Sequence, residues 1–361
     1  MTLRALAPSL LVCLAAALAA GCAPRFDPRL VDVPIAGRTW VSPASVDHPL
    51  VGRIWEPRAA RFSDEAALDR ALAGADFVVL GEIHDNPDAH LLQARLLKAI
   101  LASGRRPALA FEMLTTDQQP AVDASLARAP YDPDALGSAV RWSEGRWPEF
   151  KFYRPIFAAG LAAGVPIVAA NLPRAEVRAI VSKGREGLDA DLAARLARDE
   201  PVPPDVERAL REEMQEAHCG ELPESMLAPL VLAQRARDAR MAERMARTGE
   251  ARGAVLIAGK GHARDDRGVP AALAKDLPGR KILAVAFMEV EDGTTDPAAE
   301  SYREEGREGR APYDFVVFTP RTGRPDPCVA LHATMQAKRA KEKAAPAGME
   351  PAGAASTARG P

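Results

Sequence analysis

The sequence predicts an α/β fold: a mainly parallel central sheet flanked by helices, with a helical insertion before the last sheet strands. Three observations carry this. Short apolar runs of strand length recur along the chain, they alternate with segments of helical period, and several end in polar residues. The composition permits such a fold. The chain has 361 residues, 47% apolar and 5% aromatic, with a formal net charge of −2. That is a soluble-type composition, long enough for one large domain or two small ones. Near-neutral charge gives no electrostatic basis for nucleic-acid binding. The basic residues between Arg235 and Arg267 are interleaved with acids and read as a solvated helix face.

Residues 1–21 read as a targeting segment. Arg4 supplies a positive start, and Leu10 to Ala20 is an apolar run of signal length, too short to span a bilayer comfortably. The run ends Leu18-Ala19-Ala20-Gly21-Cys22, which resembles a bacterial lipoprotein signal. That resemblance implies a lipidated Cys22 and a membrane anchor. With Ala rather than Asp at position 23, it also implies the outer membrane. An ordinary cleaved signal is the alternative.

Residues 22–50 are rich in Pro and lack periodic structure, so they read as a tether to a domain spanning residues 51–332. Arg53-Ile54-Trp55 and Ala60-Arg61-Phe62 read as short edge strands around Pro57, and Ser63 as the cap of a helix from Asp64 to Ala73. The organising stretch follows, from Asp76 to Gln93. Phe77 to Leu80 form a strand buried on both faces, Gly81 turns the chain, and Pro87 opens a helix. Between them stand Glu82, His84, Asp85 and Asn86. An Asp or Asn there caps a helix, which explains one or two of these groups but not Glu82 and His84 as well.

The plan repeats. Pro107 to Phe111 ends in Glu112, Gly164 to Ala170 ends in Asn171, and Gly253 to Ala258 ends in Gly259-Lys260-Gly261-His262. Lys281 to Phe287 and Tyr313 to Phe318 are further strands without comparable endings. A helical block from Leu188 to Arg247 is broken at Pro201–Pro204 and at Gly220–Pro223. Its last helix carries Met226, Leu230, Ala233, Arg237, Met241 and Met245 at helical spacing, a core-packing pattern. Residues 333–361 turn to Lys, Ala, Pro and Gly and read as a disordered tail.

Open α/β sheets bind ligands at the carboxyl ends of their strands. Glu82, His84, Glu112, Asn171 and His262 therefore form a candidate cleft. Two histidines and two carboxylates suit a divalent metal with an open position for activating water. A second concentration lies in Arg141 to Pro155, where Trp142, Trp147, Phe150, Phe152 and Tyr153 alternate with Arg141, Arg146, Lys151 and Arg154. Rings and cations of this kind suit a large, flat, apolar ligand with acid groups, and Tyr153 adds an oxygen ligand for ferric iron. The competing reading is a loop plugged onto the core by its aromatics. Of the four cysteines, Cys219 and Cys328 remain for the mature domain. An oxidising compartment favours a disulfide between them, stabilising by up to about 4.7 kcal/mol in the chain-entropy model. Two separate buried thiols are the alternative.

The segments 81–93 (G-E-I-H-D-N-P-D-A-H-L-L-Q), 147–156 (W-P-E-F-K-F-Y-R-P-I), 169–174 (A-A-N-L-P-R) and 258–270 (A-G-K-G-H-A-R-D-D-R-G-V-P) resemble the ChaN family. So do A-F-E-M at 110–113, H-C-G-E-L-P at 218–223, the pattern of Gln234, Arg237, Asp238, Met241 and Ala242, and D-P-C at 326–328. The resemblance implies a haem-binding cell-envelope lipoprotein of iron acquisition, related to Tiki, TraB and erythromycin-esterase-like proteins. It implies haem bound in a homodimer, delivered to or from an outer-membrane haem receptor. Tyr153 is then the iron ligand, His262 and Lys260 contact propionates with His84 and His218 competing, and Arg154, Trp147 and Asn171 line the site. The alternative function is a metal-dependent hydrolase using Glu82, His84, Glu112 and His262.

Overall fold

A computed structural model describes residues 26–299, 302, 310–326, 328–329 and 331–336. The expected signal peptide and Cys22 lie outside the described residues, as do residues 337–361 of the expected tail. Residues 331–336 are helical, so ordered structure continues past the expected boundary at 332. Among the described residues, no helix is long and apolar enough to cross a membrane.

Eight strands form one sheet in the order β2-β1-β8-β7-β3-β6-β4-β5. They are β1 (Ile54–Glu56), β2 (Arg61–Ser63), β3 (Phe77–Glu82), β4 (Ala108–Thr115), β5 (Ile167–Asn171), β6 (Ala254–Gly259), β7 (Ile282–Glu289) and β8 (Phe315–Thr319). Strands β8, β7, β3, β6, β4 and β5 are parallel, while β1 and β2 form an antiparallel hairpin at one edge. The α/β architecture with a mostly parallel sheet is as the sequence predicts.

Alternation along β3 decides which layer each residue builds. Val78 and Leu80 join a cluster with Leu91, Leu92 and Leu96 of α2 (Pro87–Ala102) and with Ile156 and Phe157 of α5 (Phe150–Ala162). Phe77 and Val79 face the other way, onto Met241 and Met245 of the long helix α9 (Glu224–Gly249) and Leu273 of α10 (Val269–Asp276). Each such side chain, fully buried, contributes about 1.5–3 kcal/mol of transfer free energy. Around this core lie α1 (Glu65–Ala73), α3 (Gln119–Arg128), α4 (Pro133–Ala139), α6 (Arg174–Lys183), α7 (Ala190–Ala197) and α8 (Pro204–Ala217). Helices α7 to α9 are the expected insertion. Asp64, not Ser63, caps α1, accepting a hydrogen bond from the Ala67 amide at 2.7 Å.

The expected tether is corrected. Residues 26–50 pack on the domain, with Val31, Ile35, Val41 and Leu50 buried. Asp88, in the first turn of α2, accepts hydrogen bonds from the Val41 and Ser42 amides at 2.9 and 2.7 Å. The apolar residues of this stretch are few and interrupted by Pro and Gly, so they carry no sustained helix or strand signal. Val31, Ile35 and Val41 nevertheless join one core cluster and Leu50 the other. Cys219 and Cys328 are joined as a disulfide, their Cα atoms 5.4 Å apart.

Candidate functional site

The four strands with polar endings, β3, β6, β4 and β5, are consecutive neighbours in the sheet. Their parallel direction brings the endings to one edge. Glu82 closes β3, Glu112 lies near the end of β4, Asn171 closes β5, and a 3-10 turn after β6 (Lys260–Ala263) carries His262. Gly81 lets that turn rest on β3, since a Cβ there would stand 2.6 Å from Ala263 Cβ and 2.9 Å from Lys260 Cα. Gly259 leaves space for His84, whose Nε2 would stand 3.0 Å from an added Cβ.

Glu82 is the centre of the first half of the site. Its Oε1 accepts a hydrogen bond from the Tyr153 hydroxyl at 2.5 Å and lies 2.9 Å from His84 Nδ1. Its Oε2 lies 3.0 Å from His90 Nδ1, without the alignment of a hydrogen bond. His90 Nε2 donates to the His84 carbonyl at 2.8 Å, and Gln93 Nε2 donates to the Leu80 carbonyl at 2.9 Å. Helix α2 thus fixes both the carboxylate and the backbone of the loop that follows it.

Glu112 is the centre of the second half. Its Oε1 pairs with the Arg237 guanidinium and lies 3.3 Å from His262 Nε2, while Oε2 accepts from the Gly259 amide at 2.7 Å. His262 Nδ1 meets Asp238 Oδ1 at 2.6 Å. Arg237 donates to Asn171 Oδ1 at 3.2 Å, and Asn171 Nδ2 to the Glu112 carbonyl at 3.0 Å. His84 joins the halves, with Nδ1 on Glu82 and Nε2 3.9 Å from Glu112 Oε2.

Charge pairing here outweighs burial for the two glutamates. Burial pushes the Glu82 carboxyl up, but His90 and His84 bring it down from 4.5 to about 2. Burial likewise opposes ionisation of Glu112, yet His262, His84 and Arg237 hold it well below the usual carboxylate range. For His262, burial favours the neutral ring, but Glu112 and Asp238 raise it from 6.5 to about 9. His84 is raised too, against burial, by Glu112 and Glu82. Tyr153 goes far the other way: burial and the Glu82 charge push its hydroxyl well above 10.0.

The structure brings Glu82, His84, Glu112, Asn171, His262 and Tyr153 into one network, with Trp147 against the His84 ring at a centroid distance of 5.0 Å. Tyr153 is fully buried, its oxygen engaged by Glu82 rather than presented to a ligand. Arg154 is exposed and pairs with Asp134 of α4 at 2.7 Å, away from the network. Lys260 lines a separate recess of about 460 Å³ with Ile83, Glu289, Glu291 and Arg321. His218 is exposed at the end of α8. The reading of an aromatic ligand platform is corrected for most of its rings. Trp142 packs on Phe150, Tyr153 and Phe157, Phe150 also packs on Phe157, and Phe152 packs on Phe26 and His90. The helical register of α5 turns Phe150 and Tyr153 onto the core, Trp142 joins them from the 3-10 turn before it, and Trp147 is the ring that meets His84.

Among the described residues, no group of three His, Cys, Asp or Glu side chains is arranged to hold a metal ion. The candidate donors are committed to one another as ion pairs. Sequence reasoning missed His90, Asp238 and Arg237 as members of the site. For Arg237 and Asp238 the available signal was spacing: with Gln234 they lie on one helical face, an unusual place for buried charge.

Comparison with known proteins agrees with this architecture. The family described as haem-binding uptake, Tiki superfamily, ChaN matches residues 68–273. ChaN of Campylobacter jejuni, described as binding heme cofacially, is 21% identical, with a TM-score of 0.57 over 73% of this chain and 95% of that one. At that identity the likeness shows the fold. A mutant erythromycin esterase EreC in its open conformation is 12% identical, with a TM-score of 0.40 over 76% of this chain and 99% of that one. No curated protein matches the chain.

Proposed function

Because this chain belongs to the ChaN haem-binding uptake family of the Tiki superfamily, we propose that it binds haem at the carboxyl edge of the sheet, with His84 as the iron ligand. One observation carries the assignment. His84 is partly exposed, with 36% of its side chain accessible; Glu82 engages its Nδ1, while its Nε2 makes no hydrogen bond among the described residues. A carboxylate on one ring nitrogen fixes the tautomer and orientation of a ligating imidazole. Tyr153 then acts from behind, holding Glu82 in place, and Trp147 flanks the His84 ring. Glu112, His262, Asp238 and Arg237 form a rigid charged wall beneath. Haem, when bound, supplies the iron, and its uptake serves iron acquisition.

Iron must displace the proton that Glu112 and Glu82 favour on His84. Haem affinity should therefore rise with pH through the titration of that ring. The lipoprotein-like residues 18–22 support an anchored envelope protein, in which this edge would meet a second copy or a receptor. Titrating the protein with hemin tests the proposal. A Soret band that shifts and saturates near one haem per chain is expected, and an unshifted band would contradict it.

A further inference from the structure

The chain's own C-terminal segment runs along the edge that carries the site. β8 ends at Thr319 on that edge, parallel to β7. Beyond it, Arg321 bridges to Ala44 and pairs with Asp292 at 2.8 Å. Arg324 then reaches Asp85, the residue after His84, at 2.9 Å and Glu289 at the end of β7 at 2.9 Å. Four residues further on, Cys328 is bonded to Cys219 in the turn between α8 and α9. Four extended residues span at most about 14 Å, so the disulfide ties that turn to the segment that meets the His84 loop. His332 adds a contact, its Nε2 3.2 Å from the Cys219 carbonyl.

The far anchor is also tied to the site's floor. Helix α9 descends from this turn to Arg237 and Asp238, which meet Glu112 and His262. From Glu224 to Arg237 it rises about 20 Å, linking the turn to the floor of the site. The turn carries backbone strain: Cys219 has φ 58°, a left-handed conformation costly for a non-glycine residue. The haem-binding role assigned above uses neither the Cys219–Cys328 bond nor the Arg321 and Arg324 contacts.

We propose that residues 321–326 form a strap latched by the Cys219–Cys328 bond, and that reducing this bond loosens the rim and releases the ligand. The reductant is a dithiol. Its thiolate attacks one sulfur, the protein S–S bond breaks, and two electrons and two protons leave both cysteines as thiols while the dithiol closes to its own disulfide. The ligand-release part rests on the haem reading; the latch itself does not.

Amide hydrogen exchange and hemin dissociation are measured on the full chain, oxidised and after dithiothreitol, with Arg324→Ala as a variant that keeps the disulfide. Reduction should speed exchange in residues 83–86 and 321–326 about tenfold or more while leaving β3 and β6 protected. Hemin should leave faster by a similar factor. Arg324→Ala should speed exchange in 83–86 with the bond intact. Unchanged exchange after reduction would overturn the latch, and so would equal loosening of β3 and β6, which marks a bond that only stabilises the fold. If exchange responds but the oxidised chain binds no hemin, the latch stands, while its ligand-release role and the haem reading fall together.

Discussion

Glu112→Ala is expected to destabilise the protein by about 3–5 kcal/mol, because it breaks a buried charge cluster by removing only its acid. The carboxylate is 2% exposed and meets Arg237, His262 and the Gly259 amide. Without it, the Arg237 guanidinium loses its carboxylate, the Gly259 amide loses its acceptor, and His262 keeps only Asp238. Glu112→Gln separates charge from hydrogen bonding, since its amide oxygen can still accept from Gly259. It should recover part of the loss. Urea unfolding of the two variants measures both quantities. A loss below about 1 kcal/mol for the alanine variant, the scale of an exposed pair, would mean that Glu112 is not neutralising the site.

Stability should also fall on both sides of a plateau in pH. The Glu82 carboxyl ionises near 2 in the folded protein instead of its ordinary 4.5. Its contribution is complete above the unfolded value and is lost as pH falls towards about 2. His262 is displaced the opposite way, from 6.5 to about 9. Its contribution is complete below the unfolded value and is lost as pH rises through about 9. Each displacement corresponds to roughly 3 kcal/mol as an order of magnitude. Denaturant midpoints at acid, mildly acid and alkaline pH should therefore be highest between about 4.5 and 6.5. In His262→Gln the alkaline decline should shrink while the acid decline persists. A midpoint independent of pH would show that these pairs do not hold in solution.

Residues whose role follows from a period or an ending were legible in the sequence. Glu82 and His84 follow a buried apolar strand at a spacing of two, and the structure places their side chains 2.9 Å apart. Glu112, Asn171 and His262 follow strands that prove to be neighbours in the sheet. Residues whose role depends on which element lies opposite were not legible. His90 sits in the first turn of α2 and Asp238 midway along α9, and only the packing of those helices shows that they face Glu82 and His262. Tyr153 lies in a segment whose composition suits a ligand loop, yet its place on α5 turns the ring inward. The stretch 26–50 lacks a period altogether, so its packing could not be inferred.

The central claim is that haem iron meets His84, with Tyr153 supporting Glu82 from the core. Hemin titrations of the wild type, His84→Ala and Tyr153→Phe, followed by the Soret band, test it most directly. Loss of a metal-orienting contact already weakens binding about 10–100-fold, so His84→Ala should lose at least that much and change the position of the bound band. Tyr153→Phe should bind more weakly but keep the wild-type band position. An unchanged spectrum in His84→Ala together with a displaced band in Tyr153→Phe would contradict the account and place the iron on the tyrosine.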